Sequence, residues 1–412
     1  MADFSTGWLG SGVFDRPQPL STSLETPVGV EDADHSHTFP SLPSPRKAGV
    51  RGPEYPIMRL ATVLTPMSDE NLTLAAQCGV TDVVGRYSGT SLDELLRLRE
   101  RIESFGMRLA TIEGYLPIEN LKLGRDDGTE LAAMKTLLEN MGRAGVKILC
   151  YNFMAGSDWV RTKLDVLERG GAKVTAFSLA EVERAMSLNQ GSPVAPRQVA
   201  PNADIAPNTP TTPDSQSRFV SRSETATLKS GDIFTADELW RNLERFLREL
   251  VPVAEAAGVT MCMHPDDPPL EKLLGRARIM NSVENFERLV ELVPSPANAI
   301  CFCQGTFAAM SVDIPVAIRR LGRHIQYVHF RDVRGSRDNF VETFHDNGPT
   351  NMAAAMRAYR DIGFSGPMRP DHVPQLYGED DGEPGYTMLG RLFAYGYMRG
   401  LMHATAEAGS AK

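Results

Sequence analysis

Residues 235–269 read TADELWRNLERFLRELVPVAEAAGVTMCMHPDDPP, and this stretch decides the fold. It opens on Thr235-Ala236-Asp237-Glu238, a capping box whose hydroxyl and carboxylate satisfy the first free amides of a helix. Leu239, Leu243, Phe246, Leu247 and Leu250 then recur at the spacing of one helical face. Gly258 ends the helix, and Val259 to Met263 follows as a short apolar run that reads as a buried strand. Where the chain leaves the core stand His264 and Pro265-Asp266-Asp267. Helix, buried strand and a polar strand end together make one unit of a parallel α/β sheet.

The same alternation extends outward in both directions. Towards the N-terminus, strands read at Leu60–Leu64, Val80–Val84, Met107–Ile112 and Val146–Cys150. Helices fall near Asp69–Gln77, Ser91–Phe105 and Glu130–Arg143, and the fourth strand leads into an insertion. Towards the C-terminus, strands read at Ala299–Phe302, Ile325–Phe330 and Gly366–Met368, with helices near 283–292, 313–321, 350–361 and 388–401. Eight strand-then-helix units over roughly 350 residues suit a closed (β/α)8 TIM barrel. The alternative, an open doubly wound sheet, lacks a G-x-G-x-x-G turn after its first strand.

Residues 1–56 carry proline clusters such as Pro40-Ser41-Leu42-Pro43-Ser44-Pro45 and no period, so a disordered N-terminal tail is expected. The barrel is expected over 57–404 and a short C-terminal tail over 405–412. A flexible, Pro-rich insertion is expected over 188–231, with Pro193, Pro196, Pro201, Pro207, Pro210 and Pro213 among Ser, Thr and Asn.

Hydrophobic residues make up 42%, enough for a sizeable core. Lys and Arg number 43 against 52 Asp and Glu, a formal charge of -9, which gives no basic face for nucleic acid. No apolar run is long enough to cross a membrane. The N-terminus lacks the basic start and apolar core of a secretory signal. Five cysteines without regular spacing argue against a disulfide framework and for a reducing compartment, with cytoplasm as the default. The expected partner is a small molecule, and the choice between monomer and homo-oligomer stays open.

In an eight-fold barrel, function sits at the C-terminal ends of the strands. The fifth strand ends at His264, the sixth at Cys303, the seventh at His329 and the eighth at Asp371. Four consecutive strands thus each deliver a metal-capable side chain to one rim. Two imidazoles, a thiolate and a carboxylate make a site for one divalent ion. Cys301 shares a strand face with Cys303 and is the alternative thiolate. Cys303 is preferred because it is nearer the rim. Taken singly, each residue has a plainer use: a hydrogen-bonded histidine, a buried thiol, a helix cap.

The segments His264-Pro265-Asp266-Asp267-Pro268-Pro269, Cys303-Gln304-Gly305-Thr306, Val328-His329-Phe330-Arg331 and Arg369-Pro370-Asp371-His372 resemble the motifs of the mannonate dehydratase family. So do Cys150-Tyr151-Asn152-Phe153-Met154, Asp158-Trp159-Val160-Arg161-Thr162, Gly385-Tyr386 and Gly390-Arg391. The resemblance covers about residues 58 to 402. It implies a TIM barrel, a manganese-type ion and loss of water from D-mannonate to give 2-keto-3-deoxy-D-gluconate. It places the metal ligands on His264, Cys303, His329 and Asp371, a catalytic histidine on His372 and an active-site tyrosine on Tyr386. Three segments depart from the family pattern: Arg59 to Pro66, Phe340-Val341-Glu342, where the family carries a histidine in place of Val341, and the turn at Thr306.

An imidazole with an ordinary pKa near 6.5 suits proton transfer at neutral pH, so His372 is one acid/base candidate; Tyr386 is the second, as a phenol whose pKa a metal can lower. Arg331, Arg334 and Arg369 are candidates for a substrate carboxylate, which guanidinium binds in bidentate fashion. Asn152, Asp158 and Arg161 are candidates for sugar hydroxyls, and Glu342 lies beyond the seventh strand. A rim or surface ion pair is the plainer use of each. The donor set also suits iron, cobalt or zinc. Rival readings are a xylose-isomerase-like sugar isomerase or epimerase, where a thiolate ligand is unexpected, and a non-catalytic sugar-acid-binding barrel.

Overall fold

The computed structural model describes residues 58–156, 158–188, 197–198, 220–221 and 234–407. The expected N-terminal tail, most of the expected insertion and residues 408–412 lie outside the described residues.

Eight parallel strands close into a barrel: β1 (Arg59–Val63), β2 (Asp82–Arg86), β3 (Arg108–Glu113), β4 (Ile148–Tyr151), β5 (Thr260–Met263), β6 (Asn298–Cys303), β7 (Ile325–Phe330) and β8 (Pro367–Pro370). Each strand lies beside its neighbours in sequence, and β1 closes on β8. The outer helices are α1 (Asp69–Gln77), α2 (Leu92–Ser104), α3 (Thr129–Ala144), α4 (Ala236–Ala257), α5 (Val283–Leu292), α6 (Ile314–Leu321), α7 (Met352–Asp361) and α8 (Met388–Glu407). The last runs past residue 404, where a tail was expected.

Local chemistry explains these boundaries. Ser68, Ser91, Thr235, Ser282, Asp313 and Asn351 each accept an amide of the first turn that follows. At Thr235 the full capping box forms with Glu238. The hydrogen-bonded ladder outlasts the apolar run, so β2 and β3 end on charged residues, Arg86 and Glu113.

The main core lies between strands and helices, where α4 buries Leu239, Leu243, Phe246, Leu247 and Leu250. Each such side chain contributes about 1.5–3 kcal/mol. A smaller apolar cluster, with Cys150, Cys262, Cys301, Tyr327 and Tyr386, fills the barrel interior.

Above the rim stands a four-stranded antiparallel sheet. Its order is Val333–Ser336, Asn339–Glu342, Lys173–Ser178, Lys163–Leu167. The sequence predicts that β4 leads straight into the insertion. Instead two of these strands and a helix, Leu179–Leu188, come first. The signal was weak because Lys163–Leu167 alternates only between exposed and half-buried positions. The sheet joins the excursion after β4 to the one after β7, with Phe340 opposite Phe177 and Val341 opposite Ala176. Val341 thus occupies a cross-strand position beside a small partner. No described helix is long and apolar enough to cross a membrane.

Candidate metal centre and its cleft

Parallel pairing brings the ends of β5 to β8 to one level: Cys303 is in register with His329, and His329 with Arg369. The donor atoms of His264, Cys303 and His329 lie within 4.8 Å of one another. Asp371 adjoins them, with Oδ2 3.8 Å from Cys303 Sγ and 3.9 Å from His329 Nδ1. Metal–sulfur and metal–nitrogen bonds of about 2.0–2.3 Å require donor separations of roughly 3–4.5 Å, so the spacing fits one ion.

The donor chemistry fits as well. His264 Nδ1 is 2.7 Å from the Pro265 carbonyl. A carbonyl only accepts, so that nitrogen carries the proton and Nε2 is left as the ligand atom, the usual arrangement around a bound metal. Burial pushes the Cys303 thiol up, but Arg331 and His264 outweigh it and hold it well below its ordinary value. Burial likewise pushes His264 down, and the Cys303 thiolate brings it up to about 9, so an ion arriving at Nε2 displaces a proton there. Thiolate is the form a cation binds. Thr306 steadies the sulfur by donating to it at 3.1 Å.

Asp371 is fixed from both sides. Arg331 Nε donates to Oδ2 at 2.9 Å and Arg369 Nη1 to Oδ1 at 2.6 Å. Burial raises its pKa, and His372, Arg369, His329 and Arg331 more than reverse this, so it is a carboxylate. Gly305 makes room for Arg331: a Cβ there would meet Nη1 at 2.6 Å.

A cleft lies over these groups, with about 560 Å³ of empty space that includes open solvent. Among the expected residues, Asn152, Asp158, His264, His329, Arg369, Asp371, His372 and Tyr386 line it. Arg86 and Glu113, two charged residues that were not expected, line it as well. Arg86 ends β2, and its buried Nη2 lacks a hydrogen-bond partner. Glu113 ends β3 and receives Arg369 Nη2 at 3.0 Å and the Tyr327 hydroxyl at 2.9 Å. Burial pushes Glu113 up, yet Arg369, His329 and Arg86 hold it far below the carboxylate range. The strand-end rule applied to β2 and β3 would have found both.

Four expected substrate contacts do not line the cleft. Arg161, Arg331 and Glu342 are almost fully buried and form one charge network with Asp267. Arg161 grips Asp267 through two bonds of 2.8 and 2.9 Å, and Arg331 bridges Asp267, Glu342 and Asp371. Arg334 turns to the opposite face of its strand from buried Val333 and pairs with Glu168.

The network ends on His372. Its Nδ1 is 2.9 Å from Glu342 Oε1 and 3.2 Å from Arg161 Nη2. The shorter, charge-assisted contact decides the tautomer: Nδ1–H donates to Glu342, and Nε2 stays open to accept. Burial pushes Glu342 up, while Arg331, His372 and Arg161 bring it below its ordinary value. His372 takes φ +42°, a conformation costing about 1–3 kcal/mol that its packed neighbours hold in place. Its ring packs on Trp159 and edge-on to Tyr386, each 5.5 Å away between centroids.

A closed (β/α)8 barrel with imidazole, thiolate and carboxylate gathered on one rim, beside a supported histidine, defines a barrel enzyme with a metal-competent centre. Residues 67–412 match the family described as D-mannonate dehydratase (UxuA), and the chain belongs to that family. A mannonate dehydratase of Oceanobacillus iheyensis is 33% identical over 316 residues, 75% of this chain and 84% of that protein. Mannonate dehydratase 2 of Halalkalibacterium halodurans is 31% identical over 323 residues, 76% and 88%. The crystal structure of mannonate dehydratase from Streptococcus suis serotype 2 has a TM-score of 0.68 at 26% identity, covering 86% of this chain and 95% of that one. A structure of L-ribulose 3-epimerase, at TM-score 0.52 and 14% identity over 86% and 97%, shares the fold alone.

Proposed function

We propose that this chain dehydrates D-mannonate to 2-keto-3-deoxy-D-gluconate and water, with one divalent ion, manganese, on His264, Cys303, His329 and Asp371. The observation that carries this reading is the meeting of donors from four consecutive strand ends, with His372 beside them. When bound, the ion supplies a Lewis acid for the carboxylate beside the reacting carbon.

The chain's own residues do the rest. Arg86 offers its unpaired Nη2 to the substrate carboxylate, and Asn152 and Asp158 face the sugar hydroxyls. The C2 hydrogen leaves as a proton and the C3 hydroxyl leaves as water, so one group accepts a proton and one donates. His372 Nε2 and the Tyr386 hydroxyl share these transfers. Arg161, Arg331 and Glu342 hold His372 and Asp371 in place, and Glu342 fixes the His372 tautomer. Five free cysteines support a reducing compartment, in keeping with the cytoplasm.

The test is metal analysis of the purified protein, followed by a screen of hexonic acids for 2-keto-3-deoxy products. One tightly held ion and water loss from D-mannonate are expected. A mass-conserving product would replace this reading with the isomerase, and bound ion without turnover would leave a sugar-acid-binding barrel.

A further inference from the structure

Cys301, the alternative thiolate, has its own place in the barrel. On β6 it sits two residues before Cys303, in register with Tyr327 where Cys303 faces His329. At about 3.3 Å per residue it lies one side-chain layer deeper. Cys150, from β4, reaches the same layer. The donor atoms of Cys150, Cys301 and His329 all lie within 4.8 Å of one another, and all three residues are buried. His329 Nε2 is itself buried without a hydrogen-bond partner; Glu113 Oε2, 3.3 Å away, is off the bonding direction. Cys150 and His329 line the cleft, so the layer is open to an ion from above.

We propose that Cys150, Cys301 and His329 form a second, thiolate-rich cation site beneath the rim, which takes soft closed-shell ions of the cadmium, zinc or copper(I) class. Two sulfurs and an imidazole in a dry layer suit such ions, while manganese prefers oxygen-rich spheres. Binding releases the thiol protons to solvent and forms two metal–sulfur bonds and one metal–nitrogen bond. His329 belongs to both trios, so filling the lower site withdraws a donor from the upper one. Soft ions therefore inhibit from a position of their own. This effect on turnover rests on the proposed catalytic ion; the lower site itself does not.

The experiment titrates the manganese-loaded full chain with cadmium in chelator-free buffer. It follows the thiolate-to-cadmium charge-transfer band, manganese release and dehydration together. The wild type is expected to show a two-thiolate band and to lose turnover. Cys301→Ser, close in volume but a poor soft ligand, is expected to keep at most a one-thiolate band. It should need ~10-fold more cadmium for half-inhibition of its own activity. The same band and the same inhibition in both proteins would overturn the proposal, because cadmium would then be replacing the ion at Cys303. Cys150→Ser gives an independent second reading, with a thermal melt confirming that each variant is folded. The band does not depend on turnover. A protein that binds cadmium as expected yet dehydrates no hexonate sinks the catalytic reading alone.

Discussion

The rim of this barrel is built in two ways. His264, Cys303, His329 and Asp371 arrive on the ends of four neighbouring strands, so barrel register alone places them. Arg161 and Glu342 arrive on two excursions that meet only because an antiparallel sheet joins them above the rim. On the proposed reading, the first set supplies the donors and the second holds His372 in position. Strand ends would then give precision to what binds, and the added sheet to what moves a proton.

Variants that separate the two regions test this contrast. The largest effect is expected at the strand ends. His264→Ala or Asp371→Ala should lose the bound ion and bring turnover below ~10⁻³ of wild type, read by metal analysis and assay. A fully active, metal-free His264→Ala enzyme would end the distinction. Next, His372→Asn should keep its ion and lose ~10²-fold in turnover. One step further out, Glu342→Gln should also keep its ion. It should lower kcat ~10-fold or more while KM changes little, because it disturbs the orientation of His372 and contacts no substrate. Undiminished kcat in Glu342→Gln would reduce the sheet to a scaffold. The smallest pair compares two arginines. Arg86→Ala should raise KM for the hexonate ~10-fold, as loss of a charge-assisted bond implies. Arg334→Ala, exposed and paired with Glu168, should leave the kinetics unchanged and stability within about 1 kcal/mol.

The same contrast sets what could be read in the sequence. The barrel was legible because each strand is an apolar run followed by an amphipathic helix, with capping residues marking the joints. The meeting of His264, Cys303, His329 and Asp371 was legible because a strand end is a fixed place. Arg86 and Glu113 stand in equivalent places on β2 and β3, but an arginine and a lone glutamate at strand ends carry no metal-ligand pattern that marks them. The roles of Arg161 and Arg331 were not legible. An arginine beside a rim looks the same in sequence whether it meets a substrate or, as here, Asp267 and Glu342. Arg334 was misplaced for a smaller reason: it is one residue from Val333 in a strand, and neighbours in a strand face opposite ways.

The carboxylate of Asp371 has both oxygens held by guanidinium groups, and His264 is held by its neighbour's carbonyl. The donor set is therefore kept in shape by covalent neighbours and salt bridges. On the proposed metal reading, folding and metallation are separate events, with the polypeptide finished first and the ion acquired afterwards. Which element a given preparation carries then reflects the metal supply at the time of loading as much as any preference of the ligands.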